Sequence, residues 1–469
     1  MSQTYINEPA RQIPVLMDCD VIVVGGGTSG IIAAIAAARQ GAKTVVIERF
    51  GALGGLLTVG MNTKPSGRIL GGIGLECWNR AAAAGYAGKN ITLTLDQKHK
   101  GTTQVMEISS GCDAERMKML TSKMVTEAGA KILFECWAAA PVMNGSTVGG
   151  VIVESKSGRQ AVTAKVVIDC SADADIAAGA GAPFTIGRDG VMQPVSMFFK
   201  MNQVDIKRFA EWAIANPKDV PQRFINKDEP AFALWATGFN DMLKQFQKDK
   251  GVTLQRENIT LKTGAGATEI YCNNTRVRNS SGVDVLDISD AILELYRQIE
   301  LNAEFLEERV PGFEKAYING IVPFLGVRET RHIVGGHTLN EEEAMGAGRF
   351  SDSIGVDAAA VDFHEVAGSD VRFEDYPPYE IPYSVMVPQK VEQILVAGRT
   401  VSATHEAHGR TRTITACMTT GQAAGFAAAL AVKTGRNVRD VDIAALQQMI
   451  RDADMPVFVA EWEKQRPGA

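Results

Sequence analysis

Five basic side chains fall within fourteen residues of this 469-residue chain: Arg399, His405, His408, Arg410 and Arg412. They interrupt ILVAGRTVSATHEAHGRTRTITACMTTGQAAGFAAAL, residues 394–430, between a short apolar run and a long stretch of Ala, Gly and Thr. Arginine can grip a carboxylate through two parallel hydrogen bonds and stabilise developing negative charge. Histidine can take or give a proton near neutral pH. The expected division of labour makes His405 the acid/base and Arg410 and Arg412 the orienting or charge-stabilising groups, with His408 in reserve. A blander reading makes such residues surface groups or partners for nearby acids, and it is preferred for Arg331, His332 and His337, which share the segment 311–339 with Arg328. The histidines lack ligand spacing to any cysteine, so no metal is expected.

Such a cluster needs elements that bring a ligand to it, and these begin at the N-terminus. DVIVV (20–24) is a β-branched run of the kind buried in a parallel sheet. It leads into Gly25-Gly26-Gly27-Thr28-Ser29-Gly30, then IIAAIAAARQ, then Gly41, then a second strand, TVVIE, ending at Glu48. This is strand, GxGxxG, helix, strand and acid in the order of a dinucleotide-binding unit. Gly25 allows the tight turn, Gly27 lets a pyrophosphate approach the backbone, and Gly30 lets the helix pack on the sheet. The helix N-terminus, with Thr28 and Ser29, faces the phosphate charge. Glu48 is placed to accept the ribose hydroxyls, which argues against a 2′-phosphate and leaves FAD or NAD.

The remaining composition narrows the class. A chain of 469 residues suggests two linked domains. A formal net charge of −6 argues against nucleic acid as the main partner. Seven cysteines without CxxC spacing read as buried or free thiols in a reducing compartment. The first residues lack the charged-then-apolar pattern of a signal peptide. Residues 413–432 carry no charge, but are rich in Thr, Gly and Ala, so a buried helix is expected there rather than a membrane span. The chain reads as cytoplasmic, with no membrane insertion and a small-molecule substrate; its oligomeric state is not legible.

After Glu48 come Arg49 and RFGALGGLLTVG, whose Gly54-Gly55 pair an NAD dehydrogenase does not need. This stretch resembles the loop passing under the flavin in FAD enzymes of the fumarate reductase and glutathione reductase class. Further parts follow in that class's order: a helix over 113–130 with Met117, Leu120 and Met124 on one face, strands at 131–135 and 148–155, and a return segment, 164–183. There the class usually reads IDATGD, while this chain has Asp169-Cys170-Ser171-Ala172-Asp173. The whole resembles bacterial FAD-dependent oxidoreductases that carry three segments in order. These read here Gly326-Val327-Arg328-Glu329-Thr330-Arg331, Tyr379-Glu380-Ile381-Pro382-Tyr383, and 397–425. The resemblance implies an α/β fold: a Rossmann-like FAD-binding domain of the glutathione reductase type with an inserted α+β substrate domain. It implies FAD as cofactor, with Ala138, Asp169, Gly398, Arg399, Thr415, Ala416 and Cys417 joining the N-terminal residues around it. ILVAG (394–398) becomes the final strand, and 413–431 a helix whose small residues let it lie close to sheet and cofactor.

The expected boundaries are 18–187 and 384–435 for the FAD-binding domain, 188–383 for the substrate domain, and 436–469 for a helical tail. Inside the substrate domain, 289–308 is an amphipathic helix with Ile292, Leu295, Ile299, Ala303 and Leu306 on one face. Segment 311–339 reads as helix, strand and strand, and 341–356 as helix and turn. Disulfide reductases need a CxxxxC, which is absent. A second GxGxxG is missing from 190–390, since GAGAT (264–268) falls short of it. The leading expectation is hydride transfer between flavin N5 and a small, polar, anionic organic substrate. The alternatives are an FAD-dependent monooxygenase, and a redox-neutral or sensing protein that holds FAD structurally.

Overall fold

The computed structural model describes residues 6, 8–88, 91–97, 102–108, 111–225, 233–264, 266, 268–364, 371–374 and 376–465. The first seven residues (Ile6 aside), parts of GAGAT at 265 and 267, and the last four residues of the expected tail lie outside them.

The buried run ending at Val24 forms strand Val15–Val24 at the heart of a seven-stranded sheet among the described residues. Thr44–Ile47 pairs with it in parallel on one side and Gly158–Asp169 on the other. Lys131–Leu133 extends the first side, and Ile394–Val396 runs parallel to Gly158–Asp169. Register decides what happens at the strand ends. Val24 lies opposite both Ile47 and Asp169, and Asp169 opposite Val396. Four parallel strands therefore finish level, and the loops after them open on one rim, where ligands of such sheets bind. Trp137–Asn144, Thr147–Ser155 and Gly158–Asp169 form the antiparallel meander.

Helix Thr28–Arg39 packs against helix Ile414–Thr434, and here the small residues of the C-terminal stretch are used. A Cβ on Gly421 would lie 2.3 Å from the Ser29 carbonyl oxygen, and one on Gly425 2.3 Å from that of Ala33. The glycines thus serve mainly a helix–helix crossing, more than the expected approach to the sheet. Ile414–Thr434 is long and apolar enough to cross a membrane, yet 89% of that window is buried inside the protein.

A second, antiparallel sheet has six strands among the described residues: Gln222–Ile225, Leu234–Gly238, Ile259–Thr263, Ile270–Asn273, Phe199–Asn202 and Tyr317–Ile321. Helix Val285–Arg309 begins four residues before the expected start, because Asp284 caps it by accepting from the amides of Leu286 and Asp287. Leu295, Ile299, Ala303 and Leu306 are buried on the expected face. Two expectations fail locally. No helix forms at 311–316, where Pro311 and the left-handed Gly312 (φ +96°) leave turns. The helix expected in 341–356 shrinks to the single wide turn Glu343–Ala347, broken at Gly346, followed by the buried strand Ser353–Asp357.

Two hydrophobic cores result. One gathers the sheet around Val15–Val24 with residues 333–457; the other holds residues 195–325 with Met61 and Ala114. On this packing we propose that the inserted unit closes near 325 and not at 383.

Candidate active site

Between the rim of the parallel sheet and one face of the antiparallel sheet lies a cavity of about 1600 Å³. Ordinary small-molecule pockets span roughly 300–1,000 Å³, so a dinucleotide and a second ligand fit together. Gly25, Gly27, Thr28, Ser29, Glu48, Arg49, Gly55 and Ala138 line it. A Cβ on Gly27 would meet no atom within 4 Å, which leaves the cavity open where a phosphate would approach. Gly30 is beneath this surface: a Cβ there would lie 1.8 Å from the Gly25 carbonyl oxygen. Gly54, left-handed at φ +104°, makes the turn that carries Gly55 to within van der Waals reach of Gly27. Glu48 accepts from the Gly26 amide (2.7 Å) and the Phe50 amide (2.8 Å). Burial pushes its carboxyl up, and those two amides pull against that. Arg49 stacks between Phe50 and Trp137, its guanidinium 4.8 and 5.3 Å from the ring centres.

The other half of the wall comes from the late strand and helix. Gly398, Arg399, Ile414 and Cys417 line the cavity. Arg399 donates to the Ala172 carbonyl and pairs with Asp173, fastening the final strand to the 170–173 turn. Thr413 caps the helix by accepting from the Ala416 amide. Burial pushes the Cys417 thiol up to about 12, so it is no thiolate nucleophile. Three expected contacts sit elsewhere. Asp169 is fully buried and accepts from the amides of Ser171, Ile176 and Ala177, capping helix Asp175–Gly179. Thr415 donates to Asp357 (2.6 Å), and Ala416 is enclosed. Asp173, unlike Asp169, lines the wall.

Across the cavity stands a set of cations that motif reading left unassigned: Lys64, Arg256, Lys262 and Arg328, beside Arg412. Arg412 pairs with Asp362 (3.4 Å), whose other oxygen lies 3.1 Å from His364 Nε2. His364 Nδ1 lies 3.1 Å from Arg276 Nη2. Arginine can only donate, so Nδ1 accepts and the Nε2–H donates to Asp362. Burial, with Arg328 nearby, holds His364 neutral, its pKa well below the usual value. Burial alone would raise Asp362; Arg412, His364 and Arg328 outweigh it and keep the carboxylate ionised.

Of the expected catalytic set, the structure brings only Arg412 to the cavity. His405 lies outside the lining, bonding Glu329 through Nδ1 (2.8 Å) with its ring edge-on to Phe363. Glu329 also receives His332 (2.9 Å) and the Gln193 amide (3.0 Å). His408 bonds the Arg328 carbonyl (2.8 Å), and its ring meets His332 edge to face. Arg410 is fully buried, donating to the carbonyls of Ala344 and Pro377 above the Tyr379 ring. Position between strand and helix did not reveal which side chains turn inward. Arg331 pairs with Asp175 and His337 with Glu343. A usable signal existed for Asp362 and His364: two residues apart on strand Val361–His364, they share a face.

Residues 20–450 match the family described as FAD dependent oxidoreductase, and the chain belongs to that family. It is therefore a flavoenzyme with FAD as cofactor. A stretch of 45 residues is 53% identical to the dihydrolipoyl dehydrogenase of Trypanosoma brucei brucei, covering 10% of this chain and 9% of that protein. The chain thus spans about a tenth of the length of the curated relatives it matches. Among solved structures, it is similar to a geranylgeranyl bacteriochlorophyll reductase-like protein from Thermoplasma acidophilum. That match has 13% identity, covers 96% of this chain and 87% of that one, and has a TM-score of 0.49. Similarity to p-nitrophenol 4-monooxygenase from Pseudomonas putida is 10% identity over 96% and 90% of the chains, with a TM-score of 0.47.

Proposed function

We propose that the chain transfers a hydride between FAD and a small, polar, anionic organic substrate. The observation that carries this reading is one cavity with two unlike walls: a dinucleotide wall at Gly25, Glu48 and Gly398, and a cationic wall at Arg328 and Arg412. FAD supplies, when bound, a two-electron donor and acceptor at N5. Gly27, Gly55, Ser29 and Gly398 would hold its phosphates, Glu48 its ribose hydroxyls, and Arg49 with Trp137 its adenine end.

The substrate's carboxylate is held by Arg328 and Arg412, which fix its orientation and neutralise its charge. The acid/base role expected of His405 passes to the His364–Asp362 pair. In the free protein this pair is a neutral imidazole and a carboxylate. An anion on Arg328 and Arg412 adds negative charge beside both groups and raises their proton affinity. The pair thus accepts the substrate's proton only once substrate is seated. Seven buried free thiols suit a cytoplasmic setting.

The test is anaerobic visible absorption of the FAD-loaded protein against a panel of small organic acids. Bleaching by an acid, lost in Arg412→Met, is the expected result. Rapid bleaching by NADH or NADPH alone would overturn it in favour of a reductase or monooxygenase.

A further inference from the structure

We propose that the cavity binds a small organic acid carrying two anionic groups, one held by Arg328 and Arg412, the other by Arg256, Lys262 and Lys64. The proposal rests on the reading of this cavity as the binding site of an anionic substrate.

Strand alternation builds the second subsite. Thr260 and Lys262 project from the same face of Ile259–Thr263. Three of their four cross-strand partners, Thr237, Asn273 and Trp235, line the cavity; the fourth, Tyr271, is buried in the second core. Arg256 is held rigid against this sheet by three neutral acceptors, Asn258 (3.1 Å), Asn273 (3.0 Å) and Thr260 (3.2 Å). Lys64 reaches it from the loop after the Gly55 turn and donates one hydrogen bond, to the Leu234 carbonyl (3.3 Å).

Among the described residues, no carboxylate lies within ion-pair distance of Lys64, Arg256, Lys262 or Arg328. Arg412 alone on this wall has such a partner, Asp362. Enclosed cations without counter-charge are costly to a fold, and proteins pair them or neutralise them. Burial, with Lys262 nearby, pulls Lys64 down to about 7. Burial and Arg256, against Asp362, pull Lys262 down to about 8. Burial and Arg276 pull Arg256 down to about 9. One carboxylate at Arg328 and Arg412 would leave the group on the antiparallel sheet with only Asp362 to oppose it, a carboxylate already engaged by Arg412 and His364, while a second anionic group on the same molecule answers it. These cations stand on the inserted sheet and the Lys64 loop, not on the glycine loops that face the dinucleotide phosphates. Dicarboxylates and phosphorylated acids share the required chemistry.

Affinities of the FAD-loaded protein are measured by flavin absorbance perturbation. The probes are butyrate, the dicarboxylates malonate, glutarate and adipate, and phosphoglycolate with inorganic phosphate as its control. At least one dianionic acid should bind about tenfold or more tighter than butyrate, and Lys262→Met should narrow that gap to less than about threefold. Lys64→Met gives the same reading if the first variant fails to fold. A preference for phosphoglycolate over every dicarboxylate, beyond that for phosphate, assigns the second group as phosphate. The groups facing the two lysines are each other, Arg256, Asp362 and Cys112. A dianion therefore raises their proton affinity, and its binding at pH 8 should take up about one proton from the buffer, read by calorimetry in two buffers. Equal affinity for mono- and dianions, or a gap unmoved by both substitutions, overturns the assignment, as does binding without proton uptake. Tight dianion binding by a protein that no acid reduces would leave this assignment standing and sink the hydride-transfer reading instead.

Discussion

Arg412 pairs with Asp362 in the free protein, and in the proposed site it also receives the substrate carboxylate. Arg412→Met should raise the KM for the acid about 30-fold or more, since truncating one member of an enclosed charge pair costs about 2–5 kcal/mol. Its pH–rate profile should also acquire an ionisation nearer neutrality, as Asp362 loses the cation that holds it down; an unchanged profile would remove Asp362 from the mechanism. Glu329 behaves differently, since its partners His332 and His405 are buried and do not line the cavity. Burial would raise its carboxyl, but hydrogen bonds from the two histidines outweigh this and hold it well below its ordinary 4.5. The folded form therefore binds fewer protons than the unfolded chain. Its stabilisation is complete above pH 4.5 and fades as the pH falls toward the lower folded value. Glu329→Ala should cost about 3–5 kcal/mol at neutral pH and flatten the acid limb of stability, measured by denaturant unfolding from about pH 6 to pH 3.

At the scale of elements, the crossing of Thr28–Arg39 with Ile414–Thr434 controls the floor of the cavity, because Ser29 belongs to both. Gly421→Ala would force a methyl against the Ser29 carbonyl. It should destabilise by about 1–3 kcal/mol and lower flavin retention on desalting, whereas Gly435→Ala, with open space around it, should lose stability through its left-handed φ alone and keep its flavin. The dinucleotide unit was legible because its signal is local: a buried run, glycines at fixed spacing, and an acid at the next strand's end. The cation wall was not. Lys64 is nearly two hundred residues from Arg256 and Lys262, and only the tertiary fold brings that loop and the edge of strand Ile259–Thr263 to one cavity. His405 was misread for the same reason, since spacing after Gly398 fixed its neighbourhood and left its direction undetermined. Asp169 was read by family position, while the structure uses it as a helix cap. Segment 341–356 read as helix and turn because its Glu and Ala run imitates a helix, yet left-handed Gly346 ends it at one turn.

For the whole molecule, a net charge of −6 surrounds a cavity with Lys64, Arg256, Lys262, Arg328 and Arg412 in its lining, so the anion selection proposed above would belong to the interior wall and not to the surface. Stripping FAD should destabilise one core more than the other. Hydrogen exchange should accelerate across residues 20–48 and 394–425, while strands Phe199–Asn202 and Ile270–Asn273 keep their protection; uniform acceleration would mean the two cores melt as one unit. The ligand linkage should be about 2.7 kcal/mol at a hundredfold excess over Kd. The helix crossing has a consequence in time as well. Thr28–Arg39 leaves the ribosome about 375 residues ahead of the start of its partner, Ile414–Thr434. At about 5–20 residues per second, the alanine-rich first helix waits roughly 20–80 s for the surface that covers it. A nascent chain halted before Ile394 should retain no flavin and be cut by protease within its first helix. The inserted unit between 195 and 325 would by then be folded, so the middle of this polypeptide is born before its beginning is finished.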